Sequence, residues 1–260
     1  MSLSNHLAFA KQVALQEDFH ILGVFLYGSQ NYQLDSSESD VDTIVLCIPG
    51  IKRLIMGKGL ISLDFTLPSG EKQVIWDLRH YFGSLKKQSS GSLEILCTPY
   101  RILLRGSESL LQPIFENRDK IAHYDPQRFK AHIWGSITNE LDRYHKGMQE
   151  ATLKSTSYAW KSLSHVVRYL DLWQSLAIEG NSLDDSQVPA RRHLIQKIKH
   201  GMVLADDLED VLYEARTFLA QNRPVKAHTV WIPNEVDKLL EDTLIDVYTK
   251  IYGIDVSRIK

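Results

Sequence analysis

Two aspartates at the start of an apolar run carry the clearest chemistry in this sequence. Asp40 and Asp42 begin the run at residues 41–48, and a run of this kind bounded by turn residues is typical of a buried strand. Side chains alternate along a strand, so the two carboxylates are predicted to share a face, about 7 Å apart. Two like charges at the mouth of a buried strand repel each other unless cations lie between them. The pair therefore predicts a solvent-open site for Mg²⁺ or Mn²⁺.

A glycine–serine pair supplies a complementary group. Gly28 and Ser29 follow residues 21–27, which are apolar and predict a second buried strand. Glycine lets the backbone turn sharply and approach a ligand closely. The Ser29 hydroxyl and the backbone amides after it can hold a phosphate group. A phosphate-binding loop that faces two metal-binding carboxylates is typical of phosphoryl or nucleotidyl transfer.

The string across residues 27–42 resembles a known signature. It runs Tyr-Gly-Ser-Gln-Asn-Tyr-x-Leu-Asp-x-x-x-Ser-Asp-x-Asp and is similar to that of the DNA polymerase β-like nucleotidyltransferase superfamily. Within the superfamily it resembles a bacterial and phage subset that includes predicted nucleotidyltransferases associated with RNA repair. The Gly-Ser pair, the spacing and the flanking strands together make the resemblance specific, whereas an isolated Asp-x-Asp would carry no weight.

That resemblance implies a magnesium-dependent nucleotidyltransferase. Such an enzyme moves a nucleoside monophosphate from a nucleoside triphosphate to a hydroxyl group and releases pyrophosphate. Gly28 and Ser29 are then expected around the β- and γ-phosphates, with Asp40 and Asp42 as catalytic metal ligands. The acceptor stays open between an RNA end, a small molecule and a protein hydroxyl. The choice of nucleoside triphosphate, ATP included, also stays open.

The superfamily normally places a third acidic residue on the strand beside Asp-x-Asp. Asp77 is the prediction for this catalytic role, with Asp64 and Glu71 as the other candidates. Relatives carry an Asp three residues earlier, where this chain has Val74. Three alternatives follow: Asp77 has taken over, two carboxylates suffice, or the chain is a degenerate nucleotide-binding or regulatory module that turns nothing over. Asp77 is also well placed to cap the helix that follows it.

A second set of polar residues shares a predicted helix. Lys161, His165 and Arg168 occupy positions i, i+4 and i+7, so they lie on one face. They resemble the Lys-x-x-x-His-x-x-Arg segment of the same subset. Arg can bind a triphosphate through two parallel bonds and Lys as a point charge, so the three are predicted to bind nucleotide. The alternative is a solvated basic helix face.

Glu94 is a further candidate with two equal interpretations. The string at residues 86–96 also resembles the subset, which often carries an Asn in the gap that here contains only serines and glycine. Glu94 follows that gap, within an apolar run. It is interpreted either as a site residue or as a half-exposed charge at the end of a strand or helix.

Composition limits the partners. The 260 residues carry a formal net charge of −2, so no global field favours nucleic acid or an anionic membrane. The sequence has no duplex-DNA signature, and RNA binding would need a local basic surface. No apolar run spans a membrane and no signal peptide is evident, so a cytoplasmic protein is expected. Cys47 and Cys97, both in apolar strand-like runs, are expected to be free thiols, with a disulfide as the alternative.

The predicted fold class is α+β. Residues 1–105 alternate apolar runs with turn residues and predict a nucleotidyltransferase-type mixed sheet with helices. Residues 106–260 show helical periodicity and predict a helical bundle. Asp125 followed by Pro126 is a typical helix start, and Gly180 and Gly201 are typical helix ends.

Overall fold

The computed structural model describes residues 3–34, 40–59, 61–224 and 234–253, and it confirms the α+β class. Within these residues one sheet contains Phe19–Tyr27 (β1), Asp42–Pro49 (β2), Ser62–Thr66 (β3), Lys72–Asp77 (β4) and Arg101–Leu103 (β5). The α-helices of the first half are Leu3–Glu17 (α1), Ile51–Ile55 (α2), Leu78–Lys86 (α3), Ser90–Cys97 (α4), Ser107–Glu116 (α5) and Arg118–Ala122 (α6). Those of the second half are Pro126–Glu150 (α7), Leu153–Trp173 (α8), Leu183–Gln187 (α9), Arg192–Lys199 (α10), Ala205–Gln221 (α11) and Glu235–Tyr252 (α12).

The sheet is mixed, as the sequence predicts. Its strand order is β3-β4-β2-β1-β5. β2 and β4 run parallel, whereas the other neighbouring pairs are antiparallel. A tight turn at residues 67–70 joins β3 to β4, and Gly70 adopts the positive φ of 91° that such a turn requires.

Alternation along β2 assigns its side chains to two different environments. Val45 and Cys47 pack with Val24 and Ile75 in a buried cluster that also holds residues of α1. Asp42, Ile44 and Leu46 therefore point to the other face of the sheet. Helices α3 and α4 contact the sheet, and Phe25 of β1 meets Phe115 of α5 at a ring-centroid distance of 6.1 Å.

The chain divides into two compact units that differ from the predicted boundary at residue 105. The first comprises Met1–Asn31, Asp35–Tyr124 and Trp231–Lys260, and the second comprises Tyr32–Leu34 and Asp125–Val230. The first unit retains α12 because that helix packs on α5 and α3. Asp237 of α12 accepts a hydrogen bond from the Tyr124 hydroxyl at 3.0 Å and pairs with Lys86 Nζ at 3.1 Å. The sequence pattern does not reveal this return of the chain.

The second unit is helical, in agreement with the sequence. Its longest pair, α7 and α8, forms a hairpin, and α10 and α11 pack against it. The α7 cap is as predicted, because the Asp125 carboxylate accepts hydrogen bonds from the amides of Gln127 and Arg128. Helix α8 begins at Leu153, after a capping box formed by Thr152 and Ser155.

Helix α4 corrects one prediction. The run that contains Cys97 is helical rather than strand-like, because helix α4 is buried on most sides and therefore shows no clear amphipathic period. Cys47 and Cys97 are both free thiols. Among the described residues, no helix has both the length and the apolar character needed to cross a membrane.

Candidate active site

The loop after β1 brings Gly28 next to Asp42. β1 and β2 pair so that Tyr27 lies opposite Asp42, and Gly28 follows with a φ of 91°. A Cβ atom at Gly28 would lie 3.7 Å from Asp42 Oδ2. A short 3₁₀ turn, Ser29–Tyr32, begins immediately afterwards and leaves Ser29 half-exposed. The two halves of the sequence motif therefore meet at one edge of the sheet.

The two metal-ligand candidates differ in how firmly they are held. Asp42 is the first residue of β2 and is half-exposed, and its Oδ1 accepts a hydrogen bond from the Lys72 amide at 3.2 Å. Asp40 lies two residues before the strand and is exposed. The alternation rule that predicted a shared face therefore applies to Asp42 but does not extend to Asp40. Ser39 of the motif lies outside the described residues.

The structure contradicts the predicted catalytic role of Asp77. In the parallel register Asp77 pairs with Cys47, five residues beyond Asp42 and so about 16 Å along the strand. Five is an odd number, so the Asp77 side chain also points to the opposite face, the face that packs on α1. Asp77 is 0% exposed, and its carboxylate caps α3 and binds Arg79, with Oδ2 at 2.5 Å from Nη2. The capping interpretation is the one that the structure supports.

The other two carboxylates, Asp64 and Glu71, are held in different surroundings from Asp42. Val74 pairs with Ile44 and shares the Asp42 face, so an apolar side chain occupies this position of β4. Asp64 is exposed and pairs with Val74 from β3, on the side of β4 that faces away from β2. β3 is therefore two strands from β2, roughly 10 Å across the sheet. Glu71 is buried and lies 3.4 Å from His6 Nε2. Within the described residues, no three His, Cys, Asp or Glu side chains are grouped to hold a metal.

Glu94 anchors the loop that begins at Gly28 through two hydrogen bonds. Its Oε1 accepts hydrogen bonds from the Gly28 amide at 2.6 Å and from Asn31 Nδ2 at 2.9 Å. Asn31 is fixed in turn, because its Nδ2 also donates to the Leu26 carbonyl and its Oδ1 accepts from the Thr98 hydroxyl at 2.8 Å. Glu94 is 1% exposed. It is therefore a buried anchor of the loop, and neither a metal ligand nor a half-exposed charge.

One sequence signal could have identified this anchor. A carboxylate between Leu93 and Ile95 in a fully apolar run requires buried donors, since an unpaired buried charge is very costly. Its donors lie more than sixty residues away, so the pairing itself is invisible in the sequence. One consequence concerns the loop itself: the Gly28 amide is already engaged by Glu94.

In the helical unit the three predicted nucleotide-binding residues separate into two groups. Lys161 and His165 line a groove between α7 and α8. The guanidinium of Arg168 lies instead over the ring of Tyr32, at 4.2 Å from its centroid. That stacking is a cation–π contact and holds Arg168 on the segment that follows the glycine loop in the chain. Their placement opposite Asp40 and Asp42, and their binding of triphosphate, stay predictions.

The ionisation of the groove is set mainly by burial. Burial lowers the pKa of His165 below its ordinary value, although Glu140 Oε1 at 3.7 Å from its Nδ1 opposes this effect. The imidazole is therefore neutral at pH 7. Burial would raise the pKa of Glu140, but hydrogen bonds with His165 and Ser162 outweigh it and lower that pKa. Glu140 is thus an anion that also pairs with Arg143 at 2.9 Å.

Comparison with known proteins adds little to this picture. No family model matches the chain, and no curated protein matches it. Among solved structures, it matches a nucleotidyltransferase-like protein from Exiguobacterium sibiricum at 10% identity, over 96% of this chain and 78% of that one, with a TM-score of 0.29. A likeness at that identity and TM-score carries no argument about function. The function is therefore argued from the residues.

Proposed function

We propose that this chain is a metal-dependent nucleotidyltransferase that moves a nucleoside monophosphate from a nucleoside triphosphate to a hydroxyl acceptor. The observation that carries the proposal is the contact of the Gly28 loop with Asp42 at an open sheet edge. A loop that can turn around phosphates and a carboxylate that can hold a cation are the two groups that this reaction needs. The resemblance of residues 27–42 to the superfamily signature supports the same assignment.

The donor set fits magnesium. Mg²⁺ binds one or two protein carboxylates and completes its coordination with waters and substrate phosphates, so Asp40 and Asp42 suffice. Oδ1 of Asp42 engages one backbone amide, while its Oδ2 lies on the Gly28 side. When bound, the metal would neutralise charge on the phosphates and lower the pKa of a coordinated hydroxyl. Manganese, which accepts the same ligands, is the practical substitute for binding measurements.

The residues of the chain position and neutralise the substrate. The Ser29 hydroxyl donates a hydrogen bond to a β- or γ-phosphate oxygen, while Glu94 holds the loop so that this hydroxyl stays in place. The acceptor oxygen attacks the α-phosphorus, and a new oxygen–phosphorus bond forms. The bond to the bridging oxygen breaks, pyrophosphate leaves with the electron pair, and the acceptor proton passes to water. Positioning and charge neutralisation therefore account for most of the protein's share of the acceleration.

Label transfer is the direct test. The protein is incubated with each α-³²P-labelled triphosphate, Mg²⁺ and fractionated cell extract, and label is followed into RNA, protein and small molecules. We expect one fraction to take label from wild type and none to take it from Asp42→Asn. Pyrophosphate release should match the label transferred. Equal labelling by wild type and Asp42→Asn would contradict the proposal.

One observation favours a second candidate, a nucleotide-binding module without turnover. Val74 fills the place of the third carboxylate, Asp64 lies two strands away from β2, and Glu71 is buried 3.4 Å from His6 Nε2. A site with two carboxylates can bind a metal–triphosphate complex even if it lacks a base for the acceptor. The two candidates differ in one measurement. A module would bind ATP with Mn²⁺ in calorimetry, yet would release no pyrophosphate with any extract fraction.

A further inference from the structure

The helical unit contains a cavity lined by residues of two helices. It lies between α7 and α8, with a volume of about 500 Å³. A cavity of that size accommodates a ligand as large as a mononucleotide. At one end of the cavity the two helices pack closely: a Cβ at Gly147 would lie only 2.6 Å from the Ser155 carbonyl oxygen. Glycine therefore lets the helices touch there, while they bear larger side chains elsewhere along the cavity.

Two lysines on different helices give the cavity an anion-binding rim. Lys146 comes from α7 and Lys161 from α8, and both are exposed. Neither makes an ion pair with any described residue, whereas Arg143 of the same rim is neutralised by Glu140 at 2.9 Å. Glu150 is the other acidic residue of the lining. An anion between the two ammonium groups would be held by charge-assisted hydrogen bonds from both helices.

An aromatic side chain lies at the same cavity. Tyr158 lines it and is 60% exposed, a large fraction for an aromatic ring. An exposed tyrosine ring offers a surface on which a planar base can stack. Ser162 and the neutral His165 contribute polar groups to the lining, and both can donate hydrogen bonds. Cations, an open aromatic ring and hydrogen-bond donors thus line a single cavity.

From this combination we propose that this cavity, the groove between α7 and α8, binds a nucleoside phosphate, with the phosphate between Lys146 and Lys161 and the base on Tyr158. The ligand is a free nucleotide or the terminal nucleotide of an oligonucleotide. The site includes Lys161 and His165, which the sequence predicts to bind the triphosphate, but no residue of the Gly28 loop and neither of the aspartates. A failure of this inference is therefore distinguishable from a failure of the proposed transfer reaction, which depends on Asp42.

Calorimetry without metal tests the site. AMP is titrated into protein in EDTA, which silences the carboxylate site, and Asp42→Asn should bind AMP as wild type does. The double variant Lys146→Gln, Lys161→Gln should lose at least about tenfold in affinity, since it removes both charge-assisted hydrogen bonds to the phosphate. Tyr158→Ala should lose about fivefold to tenfold, and Tyr158→Phe should retain wild-type affinity, because stacking requires only the ring.

A matched control and a second ligand make the test decisive. Lys154→Gln removes an exposed lysine from the first turn of α8, outside the groove, and should change nothing. Tighter binding of a short oligonucleotide than of AMP would identify a chain end as the ligand, and equal binding would identify the free nucleotide. The inference is overturned if AMP does not bind in EDTA at millimolar concentration. It is also overturned if the Lys146, Lys161 variant binds AMP as well as the Lys154 control does.

Discussion

Asp42 and Asp77 are the same residue type at opposite ends of one pair of parallel strands, and they do opposite things. Asp42 opens β2 at a half-exposed edge and contacts a glycine loop. Asp77 closes β4 fully buried, caps α3 and binds Arg79. Burial and the charge of Asp77 raise the pKa of the nearby Tyr252 to about 12.

The difference shows that a carboxylate acquires its role from its surroundings. A buried carboxylate that satisfies an amide and a guanidinium has no lone pair to spare for a ligand. A half-exposed carboxylate at the end of a strand, such as Asp42, can be reached by cations from solvent. Stability and chemistry are thus separated at the two ends of β2 and β4, and substitutions at each end should affect one and spare the other.

The largest effect is expected at the open end, the end of β2 that begins with Asp42. Asp42→Asn should reduce nucleotidyl transfer by at least about a thousandfold, because the amide cannot replace a metal-binding carboxylate. Calorimetric Mn²⁺ binding should disappear with it. The melting temperature should not fall, since Asn can still accept the hydrogen bond from the Lys72 amide. Unchanged Mn²⁺ binding in both Asp42→Asn and Asp40→Asn would remove these residues from the site.

The closed end, the end of β4 at Asp77, should show the reverse pattern. Asp77→Ala removes the cap of α3 and leaves the Arg79 guanidinium without its partner, so unfolding free energy should fall by about 3 kcal/mol. Transfer per folded molecule should stay at the wild-type level. Asp77→Asn keeps the cap and should cost about 1 kcal/mol in urea denaturation. A variant that folds stably but loses turnover would return Asp77 to the active site.

The sequence predicted that Gly28 and Asp42 lie close together because the determinants of that approach are local. Gly28 and Asp42 are joined by a short loop between two apolar runs, and antiparallel pairing of those runs brings the residues together. The chemistry of the residue types then indicates the site. Asp40 shows the limit of that reasoning, because alternation depends on where the strand begins.

The sequence failed for the closed end because register is a long-range property. Placing Asp77 beside Asp42 required β4 to slide by five residues along β2, and only the packing of both strands fixes that offset. An odd offset also reverses the face. Glu94 could not be placed for a similar reason: its charge is local information, but its partners belong to a loop more than sixty residues earlier.

Glu94 offers an intermediate test, since it is buried like Asp77 but serves the open end. Glu94→Ala leaves the Gly28 amide without its acceptor and removes one of the two acceptors of Asn31 Nδ2, so stability should fall by about 2 kcal/mol. Affinity for ATP with Mn²⁺ should fall as well, by about tenfold, because the loop is no longer held. Asp77→Asn, matched as a change at a buried carboxylate, should leave that affinity unchanged.

The conservative variant separates anchoring from mere folding. Glu94→Gln retains an oxygen that can accept both hydrogen bonds, so it should recover most of the lost stability and most of the affinity. If Glu94→Ala lowers the melting temperature but binds ATP with Mn²⁺ as wild type does, Glu94 stabilises the fold without positioning the loop.

The smallest effect concerns a buried histidine under the open end. His6 is 0% exposed, and its Nδ1 lies 2.9 Å from the Thr43 hydroxyl, beside Asp42 in β2. Gln73 Nε2 donates to that hydroxyl, so the Thr43 proton is directed to Nδ1 and the neutral imidazole carries its proton on Nε2. Burial lowers the pKa of His6, and the opposing charges of Glu71 and Asp42 do not reverse this.

The pH dependence of stability follows from that lowered pKa. Unfolded His6 takes up a proton near pH 6.5, whereas the folded protein resists protonation, so its stabilising contribution is complete above about pH 6.5. It is lost as the pH falls from there towards the folded pKa, by at most about 1.4 kcal/mol per pH unit. Urea denaturation of wild type and His6→Gln between pH 7.5 and 5 should show a shallower slope in the variant. Asp77→Asn, at the closed end, should retain the wild-type slope. An unchanged slope in His6→Gln would show that folding does not lower the pKa of this imidazole.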